Sequence, residues 1–265
     1  MKTALTIAGS DSGGGAGIQA DLKTFAAHGV YGTSAIAAVT AQNTQGVSAF
    51  VVLPADIIIA QIEAVASDIG VDAAKTGMLA SAAIVEAVAA AVEDLEIPRL
   101  VVDPVMIAKS GDRLLEEEAV AAIKTELLRR AFVVTPNAPE AEVLAGIEVR
   151  TTADAREAAR LIHRLGPSAV IVKGGHLEGA DVVDVLFDGH EFTEFRGPRV
   201  NSRNSHGSGC TFAAALAANL ALGHTLREAT GLAKEYVVGA IRHGLPLGHG
   251  HGPMHHFWRG LPPAG

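Results

Sequence analysis

The pattern that most constrains the fold is an alternation of short apolar runs with longer segments of helical periodicity. Lys2–Ala8, Arg99–Asp103 and Ala169–Lys173 are short apolar runs followed by polar or glycine-rich loops, which is typical of buried strands. Between such runs lie segments like Ala16–His28, whose apolar residues recur on one helical face. Strands that alternate with helices favour a mostly parallel sheet covered on both faces. The sequence therefore predicts an α/β fold, a three-layer α/β/α sandwich.

The C-terminal part of the chain adds a predicted hairpin and two helices to this alternation of strands and helices. Val182–Phe187 and Glu191–Phe195 predict an antiparallel hairpin that turns at Asp188-Gly189. Gly209–Leu222 and Leu226–Arg242 predict two final helices. The chain has 265 residues, 49% of them hydrophobic, and no proline- or serine-rich linker or internal repeat. One α/β domain can reach this size, so we predict a single domain over residues 1–265.

The charge balance and the single cysteine narrow the partners and the compartment. There are 21 Lys and Arg residues against 29 Asp and Glu residues, a formal net charge of −8, which argues against nucleic acid as the main partner. One cysteine cannot form an internal disulfide and fits a reducing compartment. No uninterrupted apolar run is long enough to span a bilayer, and the N-terminal stretch lacks a signal-peptide layout. We expect a soluble, cytoplasmic protein that does not use a membrane.

Polar side chains follow several of the predicted strands at the point where each strand ends. They are Asp11, Gln42, Asp103, Asn137 and Lys173. In open α/β sheets, ligands bind outside the carboxyl ends of the strands. The shared position of these residues therefore predicts an active site at that edge.

Asn201–Phe212 reads as a glycine-punctuated loop that enters an alanine-rich helix. Gly207 and Gly209 let successive N–H groups point one way, and the helix start adds unpaired N–H groups and a positive dipole end. Such a segment is an anion site, most naturally for phosphate. Cys210 lies at the helix start, where a thiol pKa usually falls, so it is a candidate base or nucleophile. The alternative is a glycine-rich helix start with a buried, inert cysteine.

Five further residues suggest a nucleotide and a metal ion. Asn137 and Glu140 lie three apart at a predicted helix start, where a carboxylate can hold Mg²⁺ through water. The same spacing also describes a capping box. Asp103 at a strand end can face Mg²⁺, and Lys109 and Lys173 lie in glycine-containing loops that can approach phosphates. Solvated turns with ordinary lysines are the alternative.

Several familiar motifs are absent. Gly13–Gly17 does not continue as G-x-G-x-x-G because residue 18 is Ile18, and no stretch fits the P-loop pattern. No G-x-S-x-G elbow supports a serine hydrolase. Histidines crowd the C-terminal region, but their Gly/Pro-rich context gives no fixed ligand geometry, so we favour a non-metal interpretation.

Taken jointly, the motifs resemble the hydroxymethylpyrimidine/phosphomethylpyrimidine kinases of thiamin biosynthesis, within the ribokinase-like superfamily. Eight segments occur in the order of that family and span nearly the whole chain. They are Gly9–Phe25, Thr40–Thr44, Lys75–Leu79, Asp103–Met106, Lys109–Gly111, Thr135–Glu140, Val172–His176 and Asn204–Cys210. The resemblance implies a ribokinase-like fold, ATP and Mg²⁺. It implies phosphorylation of 4-amino-5-hydroxymethyl-2-methylpyrimidine and then of its monophosphate to the diphosphate, and it implies a homodimer.

The resemblance also implies four groups of site residues. The anion hole around the transferred phosphoryl group is formed by Gly207, Ser208, Gly209 and Cys210. The pyrimidine pocket is formed by Gly9, Asp21, Gln42, Met78 and Val105. The ATP contacts are Asn137, Lys173 and Lys109, and the metal contacts are Glu140 and Asp103. Cys210 stands where most ribokinase-like relatives have an aspartate base.

Two alternatives remain open at this stage. Pyridoxal or pyridoxine kinase activity occurs on the same scaffold, and pyridoxal also presents a hydroxymethyl group beside a ring nitrogen. A non-catalytic pyrimidine-binding module is the second, although Cys210, Glu140 and Lys173 together argue against it. Some members of the resembled family carry Glu where this chain has Gln42, which leaves the fine substrate preference undetermined.

Overall fold

A nine-stranded sheet runs through the computed structural model, which describes residues 1–106 and 117–260. Its strands are β1 (Thr3–Asp11), β2 (Tyr31–Asn43), β3 (Gly46–Val52), β4 (Ala73–Thr76), β5 (Leu100–Val102), β6 (Val133–Val134), β7 (Val170–Val172), β8 (Asp181–Phe187) and β9 (Phe192–Pro198). They lie side by side in the order β3-β2-β1-β4-β5-β6-β7-β8-β9. Six neighbouring strands are parallel, namely β2, β1, β4, β5, β6 and β7, and β3, β8 and β9 add antiparallel edges.

Helices cover both faces of this sheet. They are α1 (Gly17–Ala27), α2 (Ala55–Asp68), α3 (Ala82–Asp94), α4 (Glu117–Ala122), α5 (Ala138–Ala145), α6 (Thr152–His163), α7 (Ser208–Ala221) and α8 (Leu226–Arg242). A π-helical turn over Ile123–Leu127 continues α4, and a 3₁₀ turn follows β7. Over the described ranges, every helix is too short or too polar to cross a membrane.

Side chains alternate between two buried cores because successive residues of a strand point to opposite faces. In β1, Leu5 and Ile7 join the core beneath α2 to α6, whereas Ala4 joins the core beneath α1, α7 and α8. In β5, Val102 and Val101 divide in the same way. This confirms the predicted three-layer α/β/α fold.

The predicted element ends agree with the structure to within a few residues. The hairpin is confirmed, since β8 and β9 pair antiparallel from Asp181 with Pro198 to Phe187 with Phe192. The sequence also predicts a helix from about Glu116, and the structure describes this helix, α4, from Glu117 onwards. The sequence predicts a strand over Gly32–Val39; β2 continues further, to Asn43, and β3 pairs antiparallel with its second half.

The strand order changes direction beside β1. The chain passes from β1 to β2 on one side, and later strands add from β4 on the other side. This arrangement leaves a crevice at the carboxyl ends of β1 and β4, the position at which ligands bind in such sheets. The amino-terminal end of α7 meets the same edge, since Gly207 and Cys210 line the same cleft as Asp11 and Gly77.

Candidate active site

The cleft at this edge has a volume of about 640 Å³ and lies between the strand ends and α7. Volumes of this order are typical of small-molecule sites in proteins. Residues predicted from separate segments meet here: Gly9, Gln42, Met78, Asp103, Val105, Asn137, Glu140, Lys173, Gly207, Ser208, Gly209 and Cys210. Lys109, the remaining predicted nucleotide contact, lies outside the described residues.

The start of α7 forms the phosphate-sized end of the cleft. Gly207 is the residue before the helix, with a φ of 79°, and a Cβ there would overlap the carbonyl oxygen of Gly15. Only glycine fits that position. A Cβ at Gly209 would instead lie 3.3 Å from Nζ of Lys173 and 3.7 Å from Oδ2 of Asp103. The helix dipole, its first N–H groups and a lysine thus converge on one small space.

Cys210 lies at the floor of this space with its sulfur beside two helix starts. The backbone N–H of Gly17, at the start of α1, favours the ionised form of this sulfur and so lowers its pKa. Burial raises the pKa of Cys210 to about 11; the Lys75 charge opposes this, and the Asp21 and Asp103 charges reinforce it. The expectation of a lowered thiol pKa is therefore wrong, because burial and two carboxylates outweigh the helix start. In the ligand-free protein the sulfur is a thiol at neutral pH.

Lys173, Asp103 and Glu140 form a charged group at the ends of β5, β6 and β7. Nζ of Lys173 lies 2.9 Å from Oδ1 of Asp103. Burial raises the pKa of Glu140 to about 7, the Lys173 charge opposes this shift, and the Asp103 charge adds to it. Burial alone would lower the pKa of Lys173, but the two carboxylates outweigh it and raise that pKa. Two buried carboxylates that share one lysine can accommodate further positive charge.

Glu140 also caps α5, as the alternative interpretation predicts. Oδ1 of Asn137 accepts from the N–H of Glu140 at 2.9 Å, and Oε2 of Glu140 accepts from the N–H of Asn137 at 2.8 Å. Within residues 1–106 and 117–260, no cluster of three or more His, Cys, Asp or Glu side chains is arranged to hold a metal ion directly. Two carboxylates do fit Mg²⁺ that keeps most of its waters, because this ion prefers oxygen ligands and dehydrates reluctantly.

The predicted pyrimidine residues divide into two groups. Gly9, Gln42, Met78 and Val105 line the cleft. Asp21 does not, because it is completely buried behind Lys75. Its Oδ2 accepts from Nζ of Lys75 at 2.8 Å and from Oγ1 of Thr6 at 2.6 Å. The structure thus replaces a direct substrate contact by a buried ion pair that holds Lys75 against the cleft wall.

Sequence reasoning missed Lys75 and His206 as site residues, although both line the cleft. Lys75 is fully buried in β4. A usable signal was a lysine inside the short run of small residues Ala73–Thr76, because a buried lysine needs a charged partner. His206 lies in the glycine-rich loop, with Nε2 3.1 Å from Oδ2 of Asp11. No local pattern marks that pair, because 195 positions separate the two residues.

The far end of the cleft is apolar. Its lining includes Pro198, Val200, Val237, Val238 and Ile241. Beside them lies a buried ion pair, in which Nζ of Lys234 is 2.8 Å from Oδ2 of Asp184. The cleft therefore joins an apolar end to an anion-binding middle, which suits a nucleotide.

Comparisons with known proteins agree with this geometry. A family model described as phosphomethylpyrimidine kinase matches residues 11–255. The chain is 49% identical over 255 residues to a hydroxymethylpyrimidine/phosphomethylpyrimidine kinase of Bacillus subtilis, covering 96% of this chain and 94% of that protein. It is 53% identical over 253 residues to a thiamine biosynthesis bifunctional protein, ThiED, of Geobacter sulfurreducens. That match covers 96% of this chain and 52% of the Geobacter protein, so the chain spans about half of its length.

A solved structure with another activity has a similar fold. The crystal structure of an ADP complex of Bacillus subtilis pyridoxal kinase superposes with a TM-score of 0.92 and 40% sequence identity. The match covers 99% of this chain and 100% of that chain.

Proposed function

The chain belongs to the phosphomethylpyrimidine kinase family, and we propose that its cleft phosphorylates 4-amino-5-hydroxymethyl-2-methylpyrimidine and then its monophosphate, with ATP as the phosphate donor. The diphosphate product serves thiamin biosynthesis. The observation that carries this function is the convergence of the α7 start, Lys173 and Gln42 on one cleft. A coupled assay of ADP release with the pyrimidine, its monophosphate and pyridoxal tests it. Turnover of pyridoxal alone would favour the pyridoxal kinase alternative, and no turnover with any of them would favour a binding module.

The residues around the α7 start supply alignment and positive charge for phosphoryl transfer. The N–H groups of Gly209 and Cys210 and the ammonium of Lys173 neutralise charge on the transferred phosphoryl group. As the substrate hydroxyl oxygen bonds to the γ-phosphorus, the bond from that phosphorus to ADP breaks. The hydroxyl proton passes to the sulfur of Cys210 in its ionised, thiolate form, which acts as the base and becomes a thiol.

Glu140 and Asp103 would hold Mg²⁺ through water, beside Lys173. When bound, the ion supplies further positive charge toward the phosphates. A homodimer, one domain over the whole chain and a cytoplasmic location complete the proposal. The edge strand β3 supports the dimer, since Phe50 and Val51 on it are more than half exposed. The single cysteine supports a reducing compartment.

Changing Glu140→Gln is expected to raise the Mg²⁺ concentration needed for half-maximal rate by roughly tenfold or more. The amide can still accept from the Asn137 N–H, so the capping box and the melting temperature should change little. Mg²⁺ titrations of the rate and thermal melts measure the two effects. Glu228→Gln is the matched control, because Glu228 closes a capping box with Thr225 at an exposed helix start. A change in melting temperature without a change in Mg²⁺ dependence would leave Glu140 as a cap only.

Changing Gln42→Leu is expected to lower kcat/KM for the hydroxymethylpyrimidine by at least roughly tenfold, with little change in the KM for ATP. An aminopyrimidine edge presents an N–H donor beside a ring-nitrogen acceptor, and an amide satisfies both at once. Leucine keeps similar bulk and removes both hydrogen bonds. Specificity constants for the hydroxymethylpyrimidine and for pyridoxal measure the effect. Undiminished turnover of the hydroxymethylpyrimidine would leave Gln42 as an ordinary loop amide.

A further inference from the structure

One ring nitrogen, Nε2 of His206, faces two different partners in the cleft. It lies 3.1 Å from Oδ2 of Asp11 and 3.2 Å from the amide nitrogen of Gln42. The backbone at His206 is held in place, because its backbone N–H donates to the Gly252 carbonyl at 3.1 Å. The ring also lies so close to Gly15 that a Cβ there would come 2.5 Å from His206 Cδ2. Whether Nε2 carries a hydrogen therefore decides which end of the Gln42 amide faces His206, and so which atoms the amide can present to a ligand.

Asp11 can only accept. Its Oδ1 accepts from the N–H of Gly13 at 2.8 Å, and its Oδ2 accepts from the N–H groups of Gly15 at 3.0 Å and Ala16 at 2.8 Å. Burial alone would raise the pKa of Asp11, but the hydrogen bond with His206 and those backbone bonds outweigh burial and lower it. The side chain is therefore an ionised carboxylate at neutral pH. Its partner nitrogen on His206 must then carry a hydrogen.

The Gln42 amide is constrained from both ends. With a hydrogen on Nε2 of His206, an amide nitrogen beside it would place two donors face to face. At the other end, Oγ1 of Thr40 lies 2.8 Å from the Ser10 carbonyl oxygen and 3.2 Å from the amide oxygen of Gln42. The single hydroxyl hydrogen of Thr40 goes to the Ser10 carbonyl, the shorter contact, which leaves two acceptor oxygens facing each other at 3.2 Å. Rotating the amide by 180° removes both conflicts: the nitrogen donates to Oγ1 of Thr40, and the oxygen shares the Nε2 hydrogen of His206 with Oδ2 of Asp11 in a three-centre bond.

We propose that Asp11 and His206 are positioning residues that fix the Gln42 amide with Oε1 toward His206 and Nε2 toward Thr40. The inference rests on the proposed function, in which Gln42 recognises an aminopyrimidine. An amide has two donor hydrogens and two acceptor lone pairs, and His206 and Thr40 use one of each. One acceptor and one donor remain for the ligand, in a fixed order. The exocyclic amino group of the substrate then lies on the His206 side, and the ring nitrogen lies on the Thr40 side.

The protonation of His206 is tested without any ligand. In protein labelled with ¹⁵N-histidine at neutral pH, two-bond ¹H–¹⁵N correlation spectra report which ring nitrogen carries hydrogen. The His206 signals are identified by their loss in the His206→Gln variant. We expect a hydrogen on Nε2, and a neutral ring protonated only on Nδ1 would overturn the proposal. This measurement stands whether or not the chain phosphorylates the pyrimidine.

Kinetics test the coupling between His206 and Gln42. His206→Leu is expected to lower kcat/KM for the hydroxymethylpyrimidine by roughly tenfold, with the KM for ATP unchanged. His206→Gln keeps an N–H donor and should restore most of the loss. In a double-mutant cycle, adding Gln42→Leu to His206→Leu should lower kcat/KM little further, because His206→Leu already removes the hydrogen bond that orients the Gln42 amide. Additive losses, or equal losses in His206→Gln and His206→Leu, would overturn the proposal. Absence of pyrimidine turnover by the unchanged chain would instead reject the proposed function.

Discussion

Replacing Cys210 with serine is expected to lower turnover by roughly 10²–10⁴-fold while ATP binding persists. The serine hydroxyl has nearly the same size, so the contact with the Gly17 N–H and the fold should survive. It is a far poorer base than a thiolate, because an alcohol hardly ionises near neutral pH. Steady-state turnover and ATP titration by calorimetry measure the two effects. Turnover equal to that of the unchanged chain would reject Cys210 as the base, and a trapped phosphocysteine would favour a covalent route.

The raised pKa of Cys210 also predicts the pH profile. Since the thiol ionises only near pH 11, the thiolate fraction grows with pH throughout the neutral and mildly alkaline range. We expect kcat/KM to rise roughly tenfold per pH unit above about pH 7, without a plateau before about pH 9. Cys210→Asp should flatten this rise, because a carboxyl group ordinarily ionises near about pH 4. A flat profile in the unchanged chain would show that its rate does not depend on ionising this sulfur.

Strand ends were the most informative positions in the sequence. Asp103, Asn137 and Lys173 come from segments far apart in the chain, yet all three line one cleft. They meet because parallel strands place their carboxyl ends at the same edge, a rule that needs only the strand assignment. The glycine pattern around Gly207 was also informative. Glycine adopts the positive φ that this position requires, which lets the chain bend into the start of α7.

Long-range pairs and proton positions could not be predicted in the same way. Lys75 pairs with Asp21 across 54 positions, and the pair forms only because β4 lies beside β1 with α1 packed over it. The pKa of the Cys210 thiol is raised, whereas the sequence predicted a lowered pKa. The helix start is visible in the local sequence, but burial and the neighbouring carboxylates arise only from tertiary packing. Sequence patterns locate candidate groups, but the packed structure sets their charges.

The second large effect is expected for Gly209→Ala, which should strongly lower turnover without weakening the fold. A Cβ at this position would meet only the flexible end of Lys173 at 3.3 Å and Oδ2 of Asp103 at 3.7 Å. Alanine also favours a helix over glycine by about 1 kcal/mol, so the free energy of unfolding should hold or rise slightly. The methyl group would occupy the space in which a transferred phosphoryl group reaches the N–H groups of α7. We therefore expect kcat to fall by at least roughly 10²-fold.

Gly231→Ala is the matched control for that substitution. Gly231 lies within α8, away from the cleft lining, and its Cβ would make an ordinary contact of 3.5 Å with the Phe195 ring. The same gain in helix propensity should appear there with turnover unchanged. Chemical denaturation and steady-state kinetics on both variants separate the two effects. If Gly209→Ala keeps its turnover, the start of α7 does not receive the phosphoryl group. If Gly209→Ala loses stability together with turnover while Gly231→Ala keeps both, the loss of turnover reflects disturbed packing around residue 209. The control makes the same glycine-to-alanine change in a helix away from the cleft.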